Sequence, residues 1–345
     1  MARSVTQNAG DHGEHYITRD KKEYWAMFYS AAGGGVLIAL MALFKTYLGS
    51  IIDDKVWKGI AEGLNYGLGF MVIFMLHFTV ATKQPAMTAA RFAEAVEKTP
   101  QGKSVNMKLA QLLVDVFRSQ SIAVLGNVLI AMGLAALIAF GYQYKTGEPL
   151  MNADQIAYQL HSIDPFAGTL WFAAIAGVWL FCSGIISGYF DNRSNYLNMR
   201  IRLTQHPLLK KLMSEKSRVK FANYMHENYG SLIGNLCFGM LLGITGVVGY
   251  LTHLPLDIRH VAFSSANVGY IAVSGHFTYS LLLQCIAFVL LIGLVNLIVS
   301  FSLTLWVALR SLNAEIDSWW PIWHEVCQIV KKRPLSLFLP VQLDK

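Results

Sequence analysis

Residues 281–309 read LLLQCIAFVLLIGLVNLIVSFSLTLWVAL, 29 positions without a single Asp, Glu, Lys or Arg. A helix rises about 1.5 Å per residue, so about 20 apolar residues cross a hydrocarbon core of about 30 Å. Five further segments have the same character: 25–44, 63–82, 122–142, 166–190 and 231–252, again without charge. The fold class that follows is all-α, a polytopic membrane bundle of about six transmembrane helices. Composition agrees. Of 345 residues, 54% are hydrophobic and 14% charged, where a soluble domain carries about 25% charge, and the mean hydropathy is +0.42.

Charge sets the orientation, because short basic loops resist translocation. Of the 28 Lys and Arg residues, 23 fall in the segment before the first span, the loops 83–118 and 191–230, and the C-terminal tail. The three opposite connections hold five: Lys45, Lys55 and Lys58, then Lys145, then Arg259. The expected organisation is a polar cytoplasmic tail (1–24), a transmembrane domain (25–312) with basic cytoplasmic loops 83–118 and 191–230, and an amphipathic cytoplasmic tail (313–345). Both ends then lie in the cytoplasm of a bacterial cell, with the spans in its inner membrane. The first 23 residues lack the apolar core of a signal peptide, so the first span is expected to stay uncleaved.

Residues 261–274, VAFSSANVGYIAVS, are uncharged but only 14 long. Crossing here would carry the basic tail to the outside, so a re-entrant or interfacial helix on the periplasmic side is expected. On the cytoplasmic side, 86–98 and 107–117 place Phe92, Val96, Leu109, Leu112, Leu113 and Val116 at helical spacing. The tail with Trp319, Trp320, Trp323, Val326 and Ile329, followed by Lys331, Lys332 and Arg333, has the composition of an interfacial helix that Pro334 ends.

The +7 formal charge is explained by basic loops facing anionic lipid headgroups, so membrane lipids are the expected partners and nucleic acid is not. The four cysteines, Cys182, Cys237, Cys285 and Cys327, show no metal-binding spacing. No metal, cofactor or catalytic residue is assigned. Small residues four apart, at Gly63 and Gly67, Gly184 and Gly188, and Gly239 and Gly243, predict close packing within the bundle, with a homo-oligomer as the alternative.

Polar residues at membrane depth are the functional pointers, since an unsatisfied amide in hydrocarbon is costly. Within the spans these are Asn65, His77, Asn127, Asn235, Gln284 and Asn296. No carboxylate of the kind proton-coupled pumps use falls inside the six segments. The densest cluster is periplasmic: Asp257, Arg259 and His260, then Ser264, Ser265 and Asn267. If the short segment is a half-helix, its N-terminus beside Arg259 suits an anionic headgroup or solute; the competing reading is that Asp257 and Arg259 cap and anchor it. A cytoplasmic candidate set, Asp191, Asn192 and Arg193, follows the fourth span.

The strings AAGGG (31–35), LNYGLGF (64–70), ATKQPAMTAA (81–90), GYFDNR (188–193) and PLDIRHVAFSSANVGY (255–270) resemble the bacterial membrane protein family catalogued as site-specific recombinase. The resemblance implies a protein about twice this length, of which the chain is similar to the C-terminal membrane half, with a separate soluble half or another protein as partner. It also implies recombination, which needs a water-accessible Tyr or Ser nucleophile, an Arg-rich phosphate pocket and access to duplex DNA. No His is followed by Arg at H-x-x-R spacing. Three functions stay open: a binder or carrier of a small solute or lipid, a membrane scaffold, and recombination.

Overall fold

The structure, a computed structural model, describes residues 17–18, 20–81, 84–97, 103–274, 277–314, 316 and 318–339. Of the polar tail 1–24, residues 1–16 and 19 lie outside the described residues and 21–24 already belong to the first helix; residues 340–345 of the C-terminal tail also lie outside. Among the described residues all regular structure is helical: α1 (Lys21–Ile51), α2 (Lys55–Met75), α3 (Gln84–Glu97), α4 (Lys103–Thr146), α5 (Ala153–Ile163), α6 (Thr169–Tyr196), α7 (Met199–Gln205), α8 (Pro207–Leu212), α9 (Glu215–Thr252), α10 (Val261–Ala272), α11 (Tyr279–Leu312) and α12 (Trp320–Lys332). Five of them, α1, α4, α6, α9 and α11, are long and apolar enough to cross a membrane. The chain is a membrane-spanning helical protein.

The second expected span, 63–82, is displaced. Its helix begins eight residues earlier, where Asp54 accepts from the backbone N–H groups of Val56 and Trp57 at 3.0 and 2.9 Å, and it ends at Met75, after which His77 takes φ +58°. An Asx cap fixes a helix start more strongly than the loss of apolarity does. At 21 residues α2 rises about 31 Å, but it carries Lys55, Lys58 and Glu62 in its first half. The expectation of charge-free spans therefore fails at α2. The segment 107–117 is also no separate element, because α4 runs unbroken for 44 residues from the apolar-faced stretch into the span.

Direction alternates along the chain. Asn65 of α2 donates to the Met41 carbonyl of α1 at 2.9 Å, and Gly33 of α1 meets Phe78 just beyond α2, so the two are antiparallel. Contacts of Gly126 with Ala31, and of Gly35 with Ala131, make α4 parallel to α1. Helix α9 opposes α2 through Gly59 with Val247 and Gly67 with Gly239, and opposes α6 through Gly234 with Ser183 and Gly230 with Ser187. Helix α11 runs parallel to α6, with Ala173 against Asn296 and Gly177 against Val299. The six long helices thus run up, down, up, down, up, down. The segment α10 cannot be a further crossing, since α11 would then run the other way.

Two of the glycine pairs, Gly63 with Gly67 and Gly239 with Gly243, do what their spacing suggests. A Cβ at Gly239 would run into the backbone of Gly67, and one at Gly243 into that of Gly63, so α2 and α9 touch backbone to backbone. Helix α10 is held as closely, for a Cβ at Gly269 would strike the Met132 carbonyl of α4. Ten of its 12 residues are buried. At about 18 Å it is too short to cross, and it lies inside the bundle instead of on a surface. At the opposite end, Phe92, Leu109, Leu312 and Ile322 form a second apolar cluster that joins α3, α4, α11 and α12.

Candidate binding cavity

The connections 52–54, 147–168 and 253–260 gather at one end of the bundle, and between them and α10 lies a cavity of about 470 Å3. Five of the six residues of the periplasmic cluster line it: Asp257, Arg259, His260, Ser264 and Asn267. Ser265 is the exception. It is fully buried, with its hydroxyl donated to the Ala262 carbonyl at 2.7 Å.

Helix α10 reaches the cavity because Asn296, midway along α11, holds its first turn. The Asn296 Oδ1 accepts from the Val261 N–H at 3.2 Å, and Nδ2 donates to the carbonyls of Ala173 at 2.7 Å and Arg259 at 3.0 Å. Arg259 is anchored as well. Its N–H donates to the Phe172 carbonyl at 3.2 Å, its Nε to the Ser162 carbonyl at 2.8 Å, and its Nη1 to Asp257 Oδ2 at 2.6 Å and to the Ile258 carbonyl at 2.7 Å. Its guanidinium carbon lies 5.3 Å from the centre of the Phe172 ring. Asp257 and Arg259 thus brace the segment before α10 without capping the helix, whose N-cap His260 makes no side-chain cap bond, and Nη2 is left without a hydrogen-bond partner among the described residues.

Ser264 and Asn267, one helical turn apart on α10, also face the cavity. Neither side chain has a hydrogen-bond partner among the described residues. His260 sits at the floor among the rings of Phe70, Phe238 and Phe263, with centroids 6.2, 5.8 and 5.7 Å away. Burial pushes its pKa down to about 3, so the imidazole is neutral.

The rest of the lining escaped sequence reading. Lys58, Glu62 and Tyr66 fall four residues apart on α2 and so share one face. From α1 comes Lys45, whose Nζ is 3.4 Å from Glu62 Oε2 and 5.6 Å from the centre of the Tyr66 ring. Helix α5 closes the opposite side with Asp154, Gln155, Tyr158 and Gln159; it starts from a capping box in which Asn152 and Gln155 exchange backbone bonds at 2.9 Å. The usable signal was the i, i+4, i+8 polar stripe of α2, hidden by counting Lys45 and Lys58 only as loop charge and by starting the span at Gly63.

The intramembrane candidates are mostly structural. Asn127 accepts from the Ala81 N–H at 2.8 Å and donates to the carbonyls of Ala31 and Thr79 at 2.6 and 2.9 Å, stapling the segment after α2 to α1 and α4. Asn65 ties α2 to α1, and Asn235 donates one turn back to Ser231 at 2.8 Å. His77, expected inside a span, lies beyond the end of α2 and is exposed; its carbonyl accepts from the Ser30 hydroxyl at 3.0 Å. Gln284 is exposed near the start of α11. Asp191 accepts from the Gly230 N–H at 2.9 Å where α6 crosses α9, with Asn192 and exposed Arg193 beside it. That trio belongs to the other end of the bundle and is not brought to the cavity.

Among known families, the model described as site-specific recombinase matches residues 1–340. No curated protein and no solved structure matches the chain.

Proposed function

We propose that this chain, which belongs to the site-specific recombinase family, binds a small polar solute or lipid headgroup in the cavity at α10 and is not itself a recombinase. One observation carries the reading: Ser264, itself buried, and Asn267 line a cavity with a charged lining, and neither side chain has a hydrogen-bond partner among the described residues. A buried polar group left unsatisfied costs about 1–3 kcal/mol, so such atoms are kept where water or a ligand meets them. The volume suits a small molecule. A DNA duplex does not fit it, and the arginine in the cavity, Arg259, is already engaged by Asp257 and two backbone carbonyls.

The connections poor in Lys and Arg all contribute to this end of the bundle, so the positive-inside bias opens the cavity toward the periplasm. The test is chemical labelling in intact cells of variants whose four native cysteines are replaced. Asn267→Cys should react with a membrane-impermeant maleimide added outside, and Ser265→Cys should not. Absence of labelling at position 267 from either side would refute the cavity, and labelling only in inverted vesicles would refute the orientation.

A further inference from the structure

We infer that the ligand of this cavity is a zwitterion, a molecule that carries a cationic amine together with a carboxylate or phosphate. The inference rests on the binding role proposed above and names its ligand class. The lining holds three cations, Lys45, Lys58 and Arg259, and three carboxylates, Glu62, Asp154 and Asp257. Two pairs cancel in place: Lys45 with Glu62 at 3.4 Å, and Arg259 with Asp257 at 2.6 Å. One cation and one carboxylate remain, Lys58 and Asp154, and neither has an ion-pair partner among the described residues.

The two stand on different elements. Lys58 lies on α2 with its amine directed at Gly49 of α1, where a Cβ would be 3.1 Å from Nζ. Asp154 is in the first turn of α5. A ligand that satisfies both spans from α2 to α5 in the cavity that Ser264 and Asn267 also line. Its anionic end meets Lys58 and the open Nη2 edge of Arg259. Its amine meets Asp154 and, one turn along the same face of α5, the ring of Tyr158, an arrangement that favours a cation.

Charge balance supplies the selectivity. A simple anion would pair with Lys58 alone and a simple cation with the exposed Asp154 alone, whereas a zwitterion pairs with both. A zwitterion leaves no net charge. Its source is either a free solute such as an amino acid or the headgroup of phosphatidylethanolamine, which have this chemistry in common.

The experiment uses the full chain in phosphatidylglycerol nanodiscs, titrated by thermal shift with δ-aminovalerate, valerate and pentylamine up to about 100 mM. Expected is binding of δ-aminovalerate at least about tenfold tighter than either singly charged analogue. Asp154→Asn should bring valerate level with δ-aminovalerate, and Lys58→Gln should do so for pentylamine. Repeating the titration with phosphatidylethanolamine in the disc separates the sources: weakening of about tenfold or more marks the headgroup as the occupant, and an unchanged affinity marks a free solute. Equal affinities for the three probes, binding of none, or a ranking unmoved by Asp154→Asn would overturn the zwitterion. The binding role itself is judged separately by Ser264→Leu combined with Asn267→Leu. If that variant binds whichever probe the unmodified protein binds with the same affinity, the cavity is not the site.

Discussion

Asn296 grips α10 by its first residue, its Oδ1 taking the Val261 N–H at 3.2 Å while Nδ2 holds Ala173 and Arg259. One side chain therefore sets three backbones, those of α6, α10 and the segment that carries Arg259. Asn296→Leu removes all three bonds and leaves two carbonyls and one N–H without this partner. We expect a loss of about 1–3 kcal/mol of stability, read as a lowered unfolding midpoint in detergent. Asn296→Asp keeps the acceptor for Val261 but sets a carboxylate oxygen against the Ala173 and Arg259 carbonyls, so it should destabilise at least as much as Leu. Unfolding midpoints that coincide for Leu, Asp and the original residue would show that α10 is held by packing alone.

The contact of α2 with α9 makes a second expectation. Gly239→Ala drives a methyl into the Gly67 backbone, which cannot step aside as a side chain could. Overpacking of this kind costs about 1–3 kcal/mol. Gly133 is the control, because nothing lies within 4 Å of a Cβ placed there. Gly133→Ala should leave stability unchanged or raise it by up to about 1 kcal/mol. Equal behaviour of the two variants in an unfolding titration would argue against backbone contact between α2 and α9.

Lys45 and Glu62 face each other across α1 and α2, with side chains 39% and 14% exposed. Lys45→Met should destabilise the bundle more than Glu62→Gln, because it leaves the better buried carboxylate without its cation, whereas a Lys45 freed by Glu62→Gln can turn to water. The double variant should recover part of the loss, with a coupling near 1 kcal/mol for a pair that is in part solvated. Strict additivity in a double-mutant cycle would mean that the pair contributes no specific interaction.

Apolar runs and charge bias are properties of contiguous sequence, and they made the bundle legible. Residues 261–274 stand apart from the spans by their length and by the basic tail that a crossing would carry outside, and α10 (Val261–Ala272) matches them closely. The cavity was half legible. Asp257 to Asn267 are neighbours along one connection, so their density was visible. Lys45, Lys58, Glu62 and Asp154 come from three elements and meet only once α1, α2 and α5 are packed. Asn127 and Asn296 stood out for the energetic reason that makes any amide in hydrocarbon stand out. That argument requires a partner without saying whether the partner is a ligand or a backbone carbonyl, and here the carbonyls of Ala31, Thr79, Ala173 and Arg259 take that place.

His260 yields the last expectation, and its sign follows from linkage. An imidazole in an unfolded chain titrates near pH 6.5, whereas in the folded protein burial among Phe70, Phe238 and Phe263 holds it at about 3. Between these values the unfolded state binds the extra proton, so stability falls as pH drops below about 6.5, by at most about 1.4 kcal/mol per pH unit from this one group. Above about 7 the group contributes no slope. His260→Phe puts an uncharged ring into the ring cluster and should flatten the profile between about pH 6.5 and 4 while leaving the neutral-pH midpoint within about 1.5 kcal/mol of the original. Thermal unfolding in detergent across that range is the measurement, and a slope that survives His260→Phe would assign the acid sensitivity to other groups.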